Sequence, residues 1–333
     1  MIKGIDYRTI SKGFFYFILL FILSSGFSQA QTGWQQAGIP AKNDLVAVFF
    51  TSSEEGWVAG DKGFLAHTTD SGKTWERYPL NTDADINEIY FRNDEHGYLV
   101  AGRQMFVTND GGKTWNETRI YRQNEFTGYI PEFLSIRFAD KNRGLAIGSL
   151  LKVVRGEELV VDSLVFRTND GGQNWSRVIV PTKVELYHLD FDGASRIWIV
   201  GDDGIILYSE NGGESFTKQV SGTRQPLFNV DFRDSKNGYV VGKAGTILKT
   251  SDGGKIWQRV LIPYKESLMR VFFTDDKNGW IVGYKGLILR TSDKGSTWIM
   301  QDSGTKENFY GLYMSKKYGW TVGAKGLVLR YER

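Results

Sequence analysis

Gly238-Tyr-Val-Val-Gly242, followed by Thr246-Ile-Leu-Lys-Thr-Ser-Asp252-Gly-Gly-Lys-Ile-Trp257, decides how the whole chain is read. Both halves of this stretch recur. The second half returns as Asp70-Ser-Gly-Lys-Thr-Trp75, Asp110-Gly-Gly-Lys-Thr-Trp115 and Asp170-Gly-Gly-Gln-Asn-Trp175. It returns again as Asn211-Gly-Gly-Glu-Ser-Phe216 and Asp293-Lys-Gly-Ser-Thr-Trp298. The first half returns at Gly56–Gly60, Gly279–Gly283 and Gly319–Gly323, with looser copies starting at Gly97, Gly144 and Ile197. Successive aromatics of the Asp motif are separated by 40, 60, 41, 41 and 41 residues.

A period near 41 with several short β-rich runs per period predicts propeller blades. Within each repeat, apolar alternation and glycine-bearing turns predict four antiparallel strands, and nothing is long enough for a helix. The last repeat stops after its third strand. Near the other end, Thr32-Gly-Trp34-Gln-Gln resembles the missing outer strand, and Trp34 to Trp75 is again 41 residues. The expected fold is therefore all-β: a seven-bladed β-propeller whose ring is closed by the N-terminal strand, leaving no free sheet edge.

Before the repeats, Lys3, Arg8 and Lys12 lead into the apolar run Phe14–Leu23 and a Ser28-Gln-Ala30 exit. This pattern predicts a signal peptide over residues 1–30, with the propeller over 31–333 and a periplasmic or secreted destination. The apolar run is too short to span a bilayer, so no transmembrane segment is expected in the mature chain. Without the leader, 38 basic residues face 37 acidic ones, and the excess positive charge that would suggest nucleic acid disappears. The chain has no Cys and only three His, which excludes disulfides, thiolate chemistry and a lipoprotein cysteine. No metal and no cofactor are expected, and a monomer is.

In the Asp motif, the carboxylate is expected to bond nearby backbone N–H groups while glycine permits positive φ. The Trp that follows is expected to pack on the next blade and to offer its indole N–H to a carbonyl. Asp70, Asp110, Asp170, Asn211, Asp252 and Asp293 are read as structural, because one residue type repeated in six blades does not make a site used once. The pattern Thr108-Asn-Asp110-Gly-Gly-Lys-Thr-Trp115 resembles the Asp-box (bacterial neuraminidase) repeat. Together with Gly-Trp-x-Val-Gly, clearest over 238–257 and 279–298, it resembles the photosystem II stability/assembly factor-like family over roughly residues 33–333. That resemblance implies a seven-bladed, non-catalytic assembly factor that binds membrane-protein precursors in photosynthetic organisms; nothing in this sequence indicates photosynthesis.

Departures from the repeat point to candidate sites. On the inner strands, one column reads Ala47, Glu88, Ser135, His188, Asn229, Arg270 and Gly311. Glu88, His188, Asn229 and Arg270 are candidate binding residues at the channel mouth, with solvated lining as the bland alternative. Two insertions supply a second candidate. One lengthens the connection around Arg119–Glu132, the other the turn around Ser149–Phe166. Both are expected on one face, offering Arg122, Tyr129, Arg155, Glu157 and Glu158.

These features favour a secreted or envelope module that binds a protein, with a glycan as a further ligand class. The alternative is a glycoside hydrolase of the sialidase kind. Sialidase chemistry would need an arginine cluster for a carboxylate and a tyrosine activated by a glutamate. A carboxylate pair across the mouth would also revive a hydrolase, with Glu88, Asp190 and Asp231 the inner-strand acids available. No complete catalytic set is evident.

Overall fold

Each repeat folds as one four-stranded antiparallel sheet, and there are seven of them in the computed structural model. Residues 33–39 and 41–332 are described; the expected leader, residues 1–30, lies outside them. Blade one shows the plan, with strands Leu45–Phe50, Gly56–Gly60, Phe64–Thr68 and Glu76–Arg77 running from channel to rim. In blade seven the outer place is taken by Gly33–Gln36, which pairs with Val328–Glu332 through Trp34 opposite Tyr331. The first strand thus closes the ring. Among the described residues no helix is long and apolar enough to cross a membrane.

The Gly-aromatic-x-Val-Gly motif has a steric cause at both ends. A Cβ on Gly56 would lie 2.4 Å from the Phe50 ring, and one on Gly60 would lie 2.0 Å from the Asp44 carbonyl oxygen. The motif's aromatic residue then joins neighbouring blades. Trp57 stacks on Phe91 of the next blade, and Trp115 meets Phe91 edge-on at 5.8 Å. The same three-ring joint occurs as Tyr98, Phe138 and Trp175, and as Trp198, Phe232 and Trp257.

This differs from the expected packing. The Trp after the Asp motif sits on its own blade's inner phenylalanine and meets the preceding blade, not the next one. Nor do most indoles find an acceptor: the buried N–H groups of Trp34, Trp57, Trp75, Trp115, Trp298 and Trp320 have no hydrogen-bond partner. Trp175, Trp198 and Trp257 do, on Gly172, Gly253 and Gln219. The ring faces are used for packing, and the joint fixes the rings whether or not the N–H is matched.

In the Asp motif, Asp70 Oδ1 accepts the Thr74 N–H at 2.8 Å and its Oδ2 accepts the Thr74 hydroxyl at 2.6 Å. The Thr68 hydroxyl donates to Asp70 and accepts the Gly72 N–H. The Thr side chain and backbone bonds hold the carboxyls of Asp70, Asp110 and Asp293 down at about 2. Asp170 and Asp252 are lowered too, first by the N–H groups of Asn174 and Ile256.

Blade three carries both insertions. The second is not a lengthened turn. It extends the strands themselves to Gly144–Val154 and Glu157–Thr168, joined by a two-residue turn at Arg155 and Gly156. Both turn residues have positive φ, 56° and 86°, as a tight hairpin of this hand requires.

Candidate functional site: the channel and the blade-three hairpin

The inner strand of each blade turns one edge toward the central channel, where its N–H groups have no neighbouring strand. Unpaired buried donors are costly, so something must accept them. Side chains from the preceding blade do. Glu88 Oε2 accepts the Ile136 N–H at 2.7 Å, and Asn229 Oδ1 accepts the Val271 N–H at 2.9 Å. Asp190 accepts the Phe232 N–H at 2.6 Å and Asp231 the Phe273 N–H at 3.1 Å. Four polar residues of the inner strands therefore stitch blade to blade.

The predicted column does converge on one cavity of about 290 Å³, where Glu88, His188, Asn229 and Arg270 are brought together. A second column, two residues further along each strand and on the same face, lines it as well: Tyr90, Arg137, Asp190, Asp231 and Tyr313 are its polar members. Sequence reasoning missed Arg137. The signal was its place two residues after Ser135, since alternate residues of a strand share a face.

Arg137 is the hub of this cluster. Its Nη1 lies 2.6 Å from Glu88 Oε1, and its guanidinium lies over the Tyr90 ring at 5.0 Å. Its Nη2 donates to His188 Nε2 at 3.2 Å, which fixes that nitrogen as the acceptor, because arginine can only donate. Burial, then the charges of Arg137 and Arg270, hold the His188 imidazole well below its usual range, so it is neutral. Arg270 Nη1 donates to the Met269 carbonyl at 3.1 Å, and the carboxylate it faces, Glu88, is already held by Arg137.

Burial pushes the Asp190 carboxyl up to about 6, against the pull of the Phe232 and Phe191 N–H groups. Asp231 is raised further, by burial and then by the charge of Asp190. A two-carboxylate hydrolase pairs one acid of raised pKa with an ionised carboxylate, whereas here both are raised. These two, and Glu88, use their oxygens as acceptors for the next blade's backbone. Glu88 and Asn229, candidate binding residues at the channel mouth, thus also hold the next blade's backbone from buried positions.

The insertions lie side by side on blade three, where Lys152 Nζ sits 5.9 Å from the Tyr129 ring centre. Glu158 joins Glu132 and Leu151 around a cleft of about 610 Å³, while Arg155 and Glu157 stand at the hairpin tip. Arg122 is not part of that cleft. It opens toward Trp175 and Arg177 on another side, because Ile120 and Phe126 of the first insertion are buried in the blade's core. The exposed apolar ribbon of Val153, Val154, Leu159 and Val160 was also missed. Its residues fall within the stretch expected to be a lengthened turn, where no apolar strand face is anticipated.

A family model described as "Photosynthesis system II assembly factor YCF48" matches residues 27–88, 74–184, 218–301 and 267–332, well over half of the chain. The photosystem II assembly lipoprotein Ycf48 of Synechococcus sp. (strain CC9902) is 28% identical over 141 residues, 41% of this chain and 38% of that protein. The matched stretch thus spans about two fifths of that curated relative's length. A solved structure described as "YCF48 bound to D1 peptide" matches with a TM-score of 0.72 at 22% identity, covering 90% of this chain and 97% of that one. Virginiamycin B lyase from Staphylococcus aureus matches with a TM-score of 0.74 at 11% identity, covering 91% and 100%. At such identities the structural likeness speaks of the fold alone.

Proposed function

The chain belongs to the photosynthesis system II assembly factor YCF48 family, and from that premise we propose that it is a non-catalytic, exported propeller that binds a segment of another protein during assembly. Its relatives are named as assembly factors, and one solved relative is described as bound to D1 peptide, which supports a peptide as the ligand class here. The name "lipoprotein" carried by the Synechococcus relative supports export. These 333 residues hold no cysteine, so lipid attachment through one is not open to them. Residues 1–30 are the proposed leader and 31–333 the propeller, with a periplasmic or secreted destination.

The observation that carries the non-catalytic reading is the use of Glu88, Asp190 and Asp231 as acceptors for backbone N–H groups. Arg270, neutral His188 and Tyr313 line the channel cavity together, and the guanidinium with the imidazole Nδ1–H is suited to holding a carboxylate or carbonyl. The test is capture from envelope extract by the exported protein, compared with Arg270→Ala and Arg122→Ala variants of unchanged melting temperature. Loss of a discrete partner in Arg270→Ala is expected. Turnover of any member of a glycoside panel, or capture indifferent to both variants, would sink the reading.

A further inference from the structure

The third strand of blade three, Glu157–Thr168, has 12 residues, while its counterparts Phe64–Thr68, Gln104–Thr108 and Thr246–Thr250 have 5. Its outer edge is covered only at the base. Ser176 and Arg177 pair with Arg167 and Phe166, the Val178 N–H reaches the Val165 carbonyl, and the Ser163 hydroxyl reaches the Val184 carbonyl. From Glu157 to Val161, among the described residues, no backbone group of another element pairs with this edge. Natural edge strands are commonly blunted by charge, by Pro or by a bulge. Glu157-Glu-Leu-Val-Val161 has no Pro, its charges are the two acids next to the turn, and the register shift that passes over Val161 falls at the inner end of the open stretch.

We propose that this edge receives an extended, basic and apolar segment of a partner protein as an added β-strand. The inference rests on the protein-binding reading above and names a surface and ligand distinct from the channel. Main-chain pairing supplies affinity in such strand addition, and side chains at alternate positions supply selectivity.

The apolar half of that selectivity comes from the ribbon itself. Val153 is 51% exposed and Leu159 47%, and beside them Val154 and Val160 are exposed too. A bare two-stranded ribbon with this much apolar surface gains stability when a third strand covers it.

The basic half comes from charge. Asp85, Glu132, Glu158 and Glu185 stand close enough around the hairpin's base that, after burial, the last two and Asp85 drive the Glu132 carboxyl upward. Further along the same rim, burial and then Asp85 and Asp44 raise Asp61, and burial and then Glu185 and Asp202 raise Tyr187. Yet among the described residues no three carboxylates converge as a metal site would require. Arg103 lines the cleft that Glu132 and Glu158 share, and Lys62 offsets the acids around Asp61. The negative field is therefore concentrated where Glu132, Glu158 and Glu185 stand beside the hairpin, which suits cationic side chains on an extended chain. The hairpin's own cations, Lys152 and Arg155, belong to the second strand and the turn, not to the open edge.

The test is fluorescence anisotropy of the full exported protein with a labelled octapeptide alternating valine and lysine. Control peptides alternate valine with glutamate and serine with lysine. Saturable binding of the first peptide alone is expected, weakened about tenfold or more by Glu157→Lys with Glu158→Lys. Val160→Pro, which blocks pairing at the edge, should weaken it as well. Equal binding of the three peptides, or no effect of the hairpin variants at unchanged melting temperature, overturns the proposal. So does sedimentation showing a dimer abolished by Val160→Pro, since the occupant is then a second copy. Arg270→Ala separates the two readings. Loss of the octapeptide in that variant places it in the channel and overturns the hairpin assignment, whereas loss of extract capture alone leaves the hairpin assignment standing.

Discussion

Trp320 lies flat on Phe50, with ring centres 3.4 Å apart and planes within 10°. One belongs to the last blade and the other to the first, so this stack and the Gly33–Gln36 strand together close the ring. The closing joint is no different from an internal one: Trp198 on Phe232 has centres 3.5 Å apart, and Tyr239 on Phe273 has 4.0 Å. The joint between blades three and four departs from this, since Leu145 takes the aromatic position and packs with Phe191 and Phe216.

Trp320→Ala should therefore cost about 3–5 kcal/mol in a denaturant titration, as truncating a buried aromatic does. Trp320→Tyr should cost less than about 1.5 kcal/mol, because blades two and five already use tyrosine in that column. Equal stability of the two variants would show that the stack is not what holds the last blade to the first.

The glycine and tryptophan columns were legible in the sequence because most blades repeat the same steric demand, with Ile197 and Leu145 as exceptions. Gly56 is needed because Phe50 lies over it, and that pairing repeats at Gly238 with Phe232. Arg137 had a signal, its place two residues after Ser135 on one strand face. The acceptor role of Glu88 was not legible, because it depends on which N–H of the next blade comes within reach. The hairpin was legible as extra length only. Whether Val153–Val160 looped out or continued the strands turned on Arg155 and Gly156 both accepting positive φ.

Glu88 separates a scaffold role from a binding role. Its carboxylate holds Arg137 at 2.6 Å, Ser135 at 2.7 Å and the Ile136 N–H at 2.7 Å. Glu88→Ala leaves a half-buried guanidinium without its counter-charge and a buried N–H without its acceptor, and should cost about 3–5 kcal/mol. Glu88→Gln keeps an acceptor for the N–H and should recover part of that loss. A Glu88→Ala protein as stable as the parent would mean the carboxylate is held for a ligand instead.

Asp190 and Asp231 should leave a mark on the pH dependence of stability. Their folded-state pKa values are raised, Asp190 to about 6, above the ordinary 3.8. The folded chain therefore holds protons that the unfolded chain has released. The resulting stabilisation is full below about pH 4 and lost as the pH rises through about 6. His188, held low by burial, works in the opposite sense below pH 6.5, and the Asp motifs lose their contribution only as the pH falls toward 2. The acids are thus read as a difference between the parent and Asp190→Asn. The melting temperature of the parent should fall relative to the variant between about pH 4 and 7. A difference independent of pH would show that the pair is ionised in the folded chain.

The two insertions of blade three should respond oppositely to removal. Phe126 of the first is 8% exposed and meets Phe166 edge-on at 6.3 Å, with the Arg177 guanidinium 5.2 Å from its ring. Phe126→Ala opens a cavity in that blade and should cost about 3–5 kcal/mol. The second insertion beyond Leu151 and Val160 is exposed on nearly every residue and meets its neighbours through little more than Lys152 over the Tyr129 ring and Glu158 beside Glu132. Excising residues 152–159 and rejoining the strands with a two-residue Asn-Gly turn should leave the melting temperature nearly unchanged. A large loss on excision would make the ribbon part of the scaffold, and its exposed valines would then need no partner to explain them.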